Sequence, residues 1–163
     1  MKHWFWRSVV GLTIVGAVAI VVLVLLPKPP IPGAIKKQLT STLLVPKDSR
    51  FVVDRQSAKY DASLKLLTFN TAAFGQQVVI SEQPSPDTFA DIPDYYSKLV
   101  NGMNSYSDFD TAIGTVHLTR PLQLGGKQAA VLNAKGTLLF AKSASDLSDD
   151  QWRQFFNTFD FQH

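Results

Sequence analysis

The sequence predicts an α+β fold in which an N-terminal transmembrane helix precedes an antiparallel sheet covered by two helices. Three observations lead to this prediction. Residues 9–26 form an uncharged, strongly apolar run, six later segments alternate between apolar and polar residues, and two segments carry apolar residues at helical spacing. Strands joined by short turns pair antiparallel, and helices commonly cover one face of such a sheet.

The apolar run has the length of a membrane anchor. Eighteen residues at about 1.5 Å rise per residue span roughly 27 Å, close to the hydrocarbon thickness of a bilayer. Trp4, Trp6 and Arg7 precede the run, as residues of a membrane interface do. Prolines crowd residues 27–33, where a cleavable signal would carry a small-x-small site. We therefore expect an uncleaved anchor, with a long cleavable signal as the alternative.

Charge and cysteine content suggest how the chain is divided. We expect residues 1–8 in the cytoplasm, residues 9–26 in the lipid bilayer, residues 27–47 as a basic, proline-rich stalk with a short helix, and residues 48–163 as an extracytoplasmic α+β domain. The last of these holds ten Lys and Arg against thirteen Asp and Glu, so it lacks the basic footprint of a nucleic-acid-binding protein. The absence of cysteine suits a bacterial cell envelope.

The sequence of the first half of the expected domain predicts three strands and a helix. The strands lie at residues 50–56, 63–71 and 76–83, where apolar and polar residues alternate. The helix begins after Asp91 as its N-cap and ends near Gly102. Its apolar residues fall on one face: Ile92, Tyr96, Leu99, Val100 and Met103. Because such side chains are usually buried, we expect this face to be core rather than a ligand site.

The sequence of the second half of this domain predicts three more strands and a second helix. The strands lie at residues 114–120, 127–134 and 136–143, separated by glycine-containing turns. Ser148 and Gln151 have the spacing of a capping box at the start of the last helix. Its aromatic residues form one stripe, which we expect to be a core face: Trp152, Phe155, Phe156 and Phe159.

Residues 114–159 resemble the closing part of uncharacterised bacterial extracytoplasmic domains, found on small lipoproteins and on membrane-bound anti-sigma-type regulators. Their pattern is a strand, a turn, two hairpin strands and a Leu-Ser-x-x-x-aromatic helix, which Leu147, Ser148 and Trp152 match. Residues 81–86, SEQPSP, also resemble small single-pass proteins of this build. The resemblance implies a fold and a location, and it implies no activity and no site residues.

Catalytic and metal-binding motifs are missing from the sequence. His117 is the only histidine away from the chain ends, which is too few for a zinc site, so a strand histidine is the favoured interpretation. Asp108 and Asp110 could contact calcium, but the rest of a calcium loop is missing and a turn is favoured. No Gly-x-Ser-x-Gly, Walker or dinucleotide loop occurs. We predict no catalytic, cofactor-binding or metal-binding residue.

These features favour a non-enzymatic, membrane-anchored extracytoplasmic domain that binds a protein or another envelope ligand. The expected partners are the lipid bilayer, through residues 9–26, and a protein of unknown identity, with no nucleic acid. Two alternatives stay open. The chain could be an accessory subunit of a larger membrane complex, or an envelope hydrolase with a cleft around His117 and two aspartates.

Overall fold

The computed structural model describes residues 29–162 of the 163-residue chain. These residues form nine strands and four short helices. The strands are β1 (Leu43–Pro46), β2 (Val53–Asp61), β3 (Leu66–Ala73), β4 (Gln76–Pro84), β5 (Ser105–Thr111), β6 (Gly114–Thr119), β7 (Ala129–Ala134), β8 (Thr137–Ser143) and β9 (Phe159–Gln162). The helices are α1 (Gly33–Lys36), α2 (Thr88–Asp91), α3 (Tyr95–Gly102) and α4 (Asp149–Phe156), and a 3-10 turn spans Leu122–Leu124.

Seven of the strands form one antiparallel sheet in the order β2-β3-β4-β8-β7-β6-β5. Chain neighbours pair within each half of the sheet, and the β4–β8 pair joins the two halves. The other two strands, β1 and β9, pair with each other as a separate antiparallel ribbon. Two-residue turns close the β3–β4 and β7–β8 hairpins, and both residues of each turn have a positive φ, as a type I′ turn requires.

The main core lies on one face of the large sheet, which we call the core face. Leu67, Phe69, Ile80, Leu132 and Leu139 point into it from the strands and are almost fully buried. Helix α4 and the β1–β9 ribbon cover this face, and α4 contributes the fully buried aromatic residues Trp152, Phe155 and Phe156. The predicted capping box of α4 is confirmed, and the predicted aromatic stripe is confirmed as core.

The opposite face of the sheet, the second face, is covered only in part. Its residues alternate with those of the core face and include Val79, His117, Phe140 and Lys142. The ring of Tyr96 in α3 packs on His117, with 5.8 Å between ring centroids. Val100, the one buried residue of α3, does not belong to the main core cluster. The two faces therefore carry separate clusters of apolar side chains.

The predicted fold class, α+β with an N-terminal transmembrane helix and a sheet covered by two helices, is wrong. The described residues are mostly β, and their helices have four to eight residues each. Among residues 29–162, no helix combines the length and the apolar composition that crossing a bilayer requires. Residues 9–26, to which the transmembrane and single-pass predictions refer, lie outside the described residues.

The helix predicted after Asp91 is interrupted by a proline. Asp91 ends α2 instead of capping a long helix, and Ile92 is extended at φ −111° and ψ 112°. This conformation follows from Pro93, because the residue before a proline disfavours the helical region. The chain resumes a helix only at Tyr95, and the expected core face is therefore only partly buried.

Three short strands had no counterpart in the prediction. Asp108 and Asp110 were expected in a turn, but they lie on β5, opposite His117 and Thr115 of β6. Strand β9 follows α4, where the helix was expected to reach Phe159. Strand β1 begins at Leu43 and overlaps only the last two residues of the short helix expected at residues 34–44, and all four of its residues are buried. Residues 43–46, which were expected in the stalk, thus pair with β9.

Candidate functional site

An apolar groove lies on the second face of the sheet and has a volume of about 640 Å³. Strands β4, β7 and β8 form its floor, α3 forms one wall, and the 3-10 turn forms another. Its lining residues are Val79, Ser81, Leu99, Met103, Pro121, Gln123, Leu124, Ala129, Phe140, Ala141 and Lys142. The volume is that of a site for a small molecule, which usually occupies about 300–1,000 Å³.

Local backbone structure positions both walls. After the restart of the helix at Tyr95, Leu99 of α3 and Met103, the residue that follows the end of α3, lie four residues apart and both line the groove. On the other wall, Pro121 accepts hydrogen bonds from the backbone N–H groups of Leu124 and Gly126. Gly125 ends the turn with φ 65°, a left-handed conformation that glycine adopts without strain.

The groove exposes large apolar side chains. Val79 is 40 % exposed, Leu99 is 37 % exposed and Leu124 is 38 % exposed, and each belongs to a different element of the groove. Leu122, in the same 3-10 turn as Leu124, is 79 % exposed. Scattered exposed apolar residues are ordinary, but apolar residues that converge on one concavity are typical of a ligand or partner site.

Lys142 is the only charged residue in the lining. It lies on β8, between Val79 of β4 and Ala129 of β7. Within residues 29–162 its ammonium group forms no ion pair, and no carboxylate lines the groove. A lysine can lay its aliphatic stem along an apolar surface while its ammonium stays in water. The groove therefore combines an apolar interior with one available positive charge.

Glu82 is a second unusual polar residue, but it lies on the core face. Its side chain is 3 % exposed and one carboxyl oxygen accepts a hydrogen bond of 3.1 Å from the backbone N–H of Leu44. The other oxygen has no partner among the described residues. Burial raises the pKa of Glu82 well above its usual value, so the neutral acid is favoured. Its register neighbours on β3 and β8 are Leu67 and Leu139, and its hydrogen bond from Leu44 joins β4 to β1.

His117 lies on β6, and Asp108 and Asp110 lie on the neighbouring strand β5. His117 pairs in register with Asp108, and Tyr96 packs on its ring. Asp110 accepts a hydrogen bond of 2.7 Å from the Thr115 hydroxyl. Burial raises the pKa of Tyr96 to about 12, so its hydroxyl stays protonated at neutral pH. In the described part of the chain, no group of three or more His, Cys, Asp or Glu could hold a metal ion.

Sequence reasoning missed the groove because its parts come from distant segments. One signal was available at Leu122 and Leu124, which are apolar residues in a segment that ends in two glycines. Such residues have no strand or helix to bury them and can indicate an exposed apolar surface. For Glu82 the signal was the alternation with Val78 and Ile80, which places all three on one face of a strand.

Comparison with family models, with curated proteins and with solved structures gave no match to this chain. The resemblance of residues 114–159 to bacterial extracytoplasmic domains therefore stays a prediction.

Proposed function

We propose that the described residues form a non-enzymatic binding domain and that the groove on the second face is its ligand site. The observation that carries the proposal is the convergence of Val79, Leu99 and Leu124, all partly exposed, on one concavity of about 640 Å³. Burying apolar surface there is favourable at about 25 cal/mol per Å². A ligand with an apolar body supplies that burial.

The size of the groove favours a small ligand over a protein surface. A stable protein interface uses about 20–30 residues on each side, whereas eleven residues line this groove. Walls on two sides and a sheet as floor suit a chain or ring that enters the cavity. The protein partner expected from the sequence stays a prediction that no feature of residues 29–162 tests.

Single-cysteine protection tests the proposal, because the natural chain contains no cysteine. Met103→Cys places a thiol in the groove, and Ser145→Cys places one in an exposed loop outside it. We expect decan-1-ol, a neutral apolar chain, to slow modification of the first thiol by a water-soluble reagent and to leave the second unchanged. Equal rates for Met103→Cys with and without the alcohol would contradict the proposal.

The location of the domain is a separate proposal, carried by the apolar residues 9–26 and the interfacial residues before them. We infer a domain outside the cytoplasm, at a bacterial membrane. A membrane-impermeant thiol reagent should label Ser145→Cys in intact cells. Labelling that appears only after lysis would place the domain in the cytoplasm and refute this location.

A further inference from the structure

We propose that the groove takes a single-chain amphiphile with an anionic head group, of the fatty-acid type, and that Lys142 binds the head group. This inference rests on the proposed function and adds the chemical class of the ligand. It starts from the charge balance of the lining, in which Lys142 is the one charged side chain and no carboxylate of residues 29–162 takes part. Among residues 29–162 the ammonium forms no ion pair, so it can form a charge-assisted hydrogen bond with a ligand anion.

The other lining residues favour a hydrocarbon chain as the rest of the ligand. Val79, Leu99, Met103, Leu124 and Phe140 offer only carbon and sulfur to a bound molecule. The remaining polar side chains, those of a serine and a glutamine, are few for a sugar or a peptide, which need many hydrogen bonds in a site of this size. A hydrocarbon chain satisfies the apolar lining without leaving polar ligand atoms unpaired.

The position of Lys142 places its positive charge next to the apolar floor of the groove. Its neighbours across the sheet are Val79 on β4 and Ala129 on β7, so the lysine stem rises from an apolar floor. The ammonium at the end of that stem can reach the mouth of the groove while the methylene groups stay against the lining. A carboxylate at the end of an acyl chain would meet the ammonium there, with the chain lying below it.

The experiment uses the full-length chain with Met103→Cys and compares protection of its thiol by decanoate and by decan-1-ol at pH 8, where the carboxylate is ionised. Lys142→Met keeps the length of the stem and removes the charge. We expect this change to raise the half-protecting concentration of decanoate about tenfold and to leave that of the alcohol unchanged. The control is Lys98→Met, an exposed lysine of α3 next to Leu99 that does not line the groove.

Each outcome separates the two proposals. Loss of protection by decanoate alone, and only with Lys142→Met, supports the assignment. An equal shift for both ligands, or no shift for either, overturns the role of Lys142 while the apolar site stands. An equal shift from Lys98→Met shows a general surface charge effect and also overturns it. Failure of both ligands to protect the thiol refutes the proposed function itself.

Discussion

Gln128 joins the start of β7 to the loop before α4 through a buried hydrogen-bond network. The side chain is 4 % exposed, and its carbonyl oxygen accepts hydrogen bonds from the Trp152 indole N–H at 2.6 Å and from the Leu147 N–H at 3.0 Å. Its amide nitrogen donates to the Leu147 carbonyl at 3.0 Å and to the Tyr106 hydroxyl. The network fixes the approach of the chain to the aromatic helix α4.

Replacing Gln128 with leucine should destabilise the fold by about 3–6 kcal/mol. The change leaves three buried groups unpaired, namely the indole N–H of Trp152 and the N–H and C=O of Leu147. Each unpaired buried group costs about 1–3 kcal/mol, and local relaxation keeps the sum below the upper limit. Such a loss is a large part of the 5–15 kcal/mol that typically stabilises a domain.

Urea unfolding of the full chain, followed by circular dichroism, measures this effect. Gln123→Leu is the matched control, because Gln123 is exposed and should change the free energy of unfolding by no more than about 0.5 kcal/mol. Trp152→Phe removes the same indole bond, so the double variant should fall short of additivity by about 1 kcal/mol. A loss below about 1 kcal/mol for Gln128→Leu, or full additivity in the cycle, would refute the reasoning.

Three further changes test other parts of the structure. Phe155→Ala should lower the free energy of unfolding by about 3–5 kcal/mol, because the ring is fully buried; proteolysis at the wild-type rate would contradict this. The raised pKa of Glu82 adds stability that is complete below about pH 4.5 and is lost as the pH rises through the folded-state pKa. Glu82→Gln should therefore flatten the decline of urea stability as the pH rises above about 4.5, and an unchanged slope would count against it. Val79→Phe should fill the groove and abolish the protection of the Met103→Cys thiol by decan-1-ol. Val52 is 62 % exposed and lies outside the groove, so Val52→Phe should leave that protection unchanged.

Where local patterning was strong, it predicted structure well. Ser148 and Gln151 cap α4 as their spacing indicates, and Trp152 and Phe155 are fully buried. Leu67 and Phe69 alternate with exposed or half-buried residues along β3, as a strand with one buried face requires. These features depend on residues close in sequence. Helix capping and helical spacing act within one or two turns, and strand alternation acts along a single strand.

The predictions failed where a distant partner decides the structure. Strand β1 forms because β9 pairs with it, and the two are more than a hundred residues apart, so neither four-residue segment has a pattern of its own. Asp108 and Asp110 look like turn residues, yet β6 holds them in an edge strand. In the helix after Asp91, the effect of Pro93 on the preceding residue outweighed the apolar spacing.

The sequence by itself determined the strand alternation, the capped aromatic helix and the absence of thiol chemistry, because each depends on composition or on neighbours along the chain. Tertiary structure alone decided which strands meet across β4 and β8, that Glu82 contacts the backbone of Leu44, and that Leu99, Leu124 and Lys142 line one groove. Those contacts join residues tens of positions apart. Their geometry follows from the pairing of whole strands, which no local pattern of residues specifies.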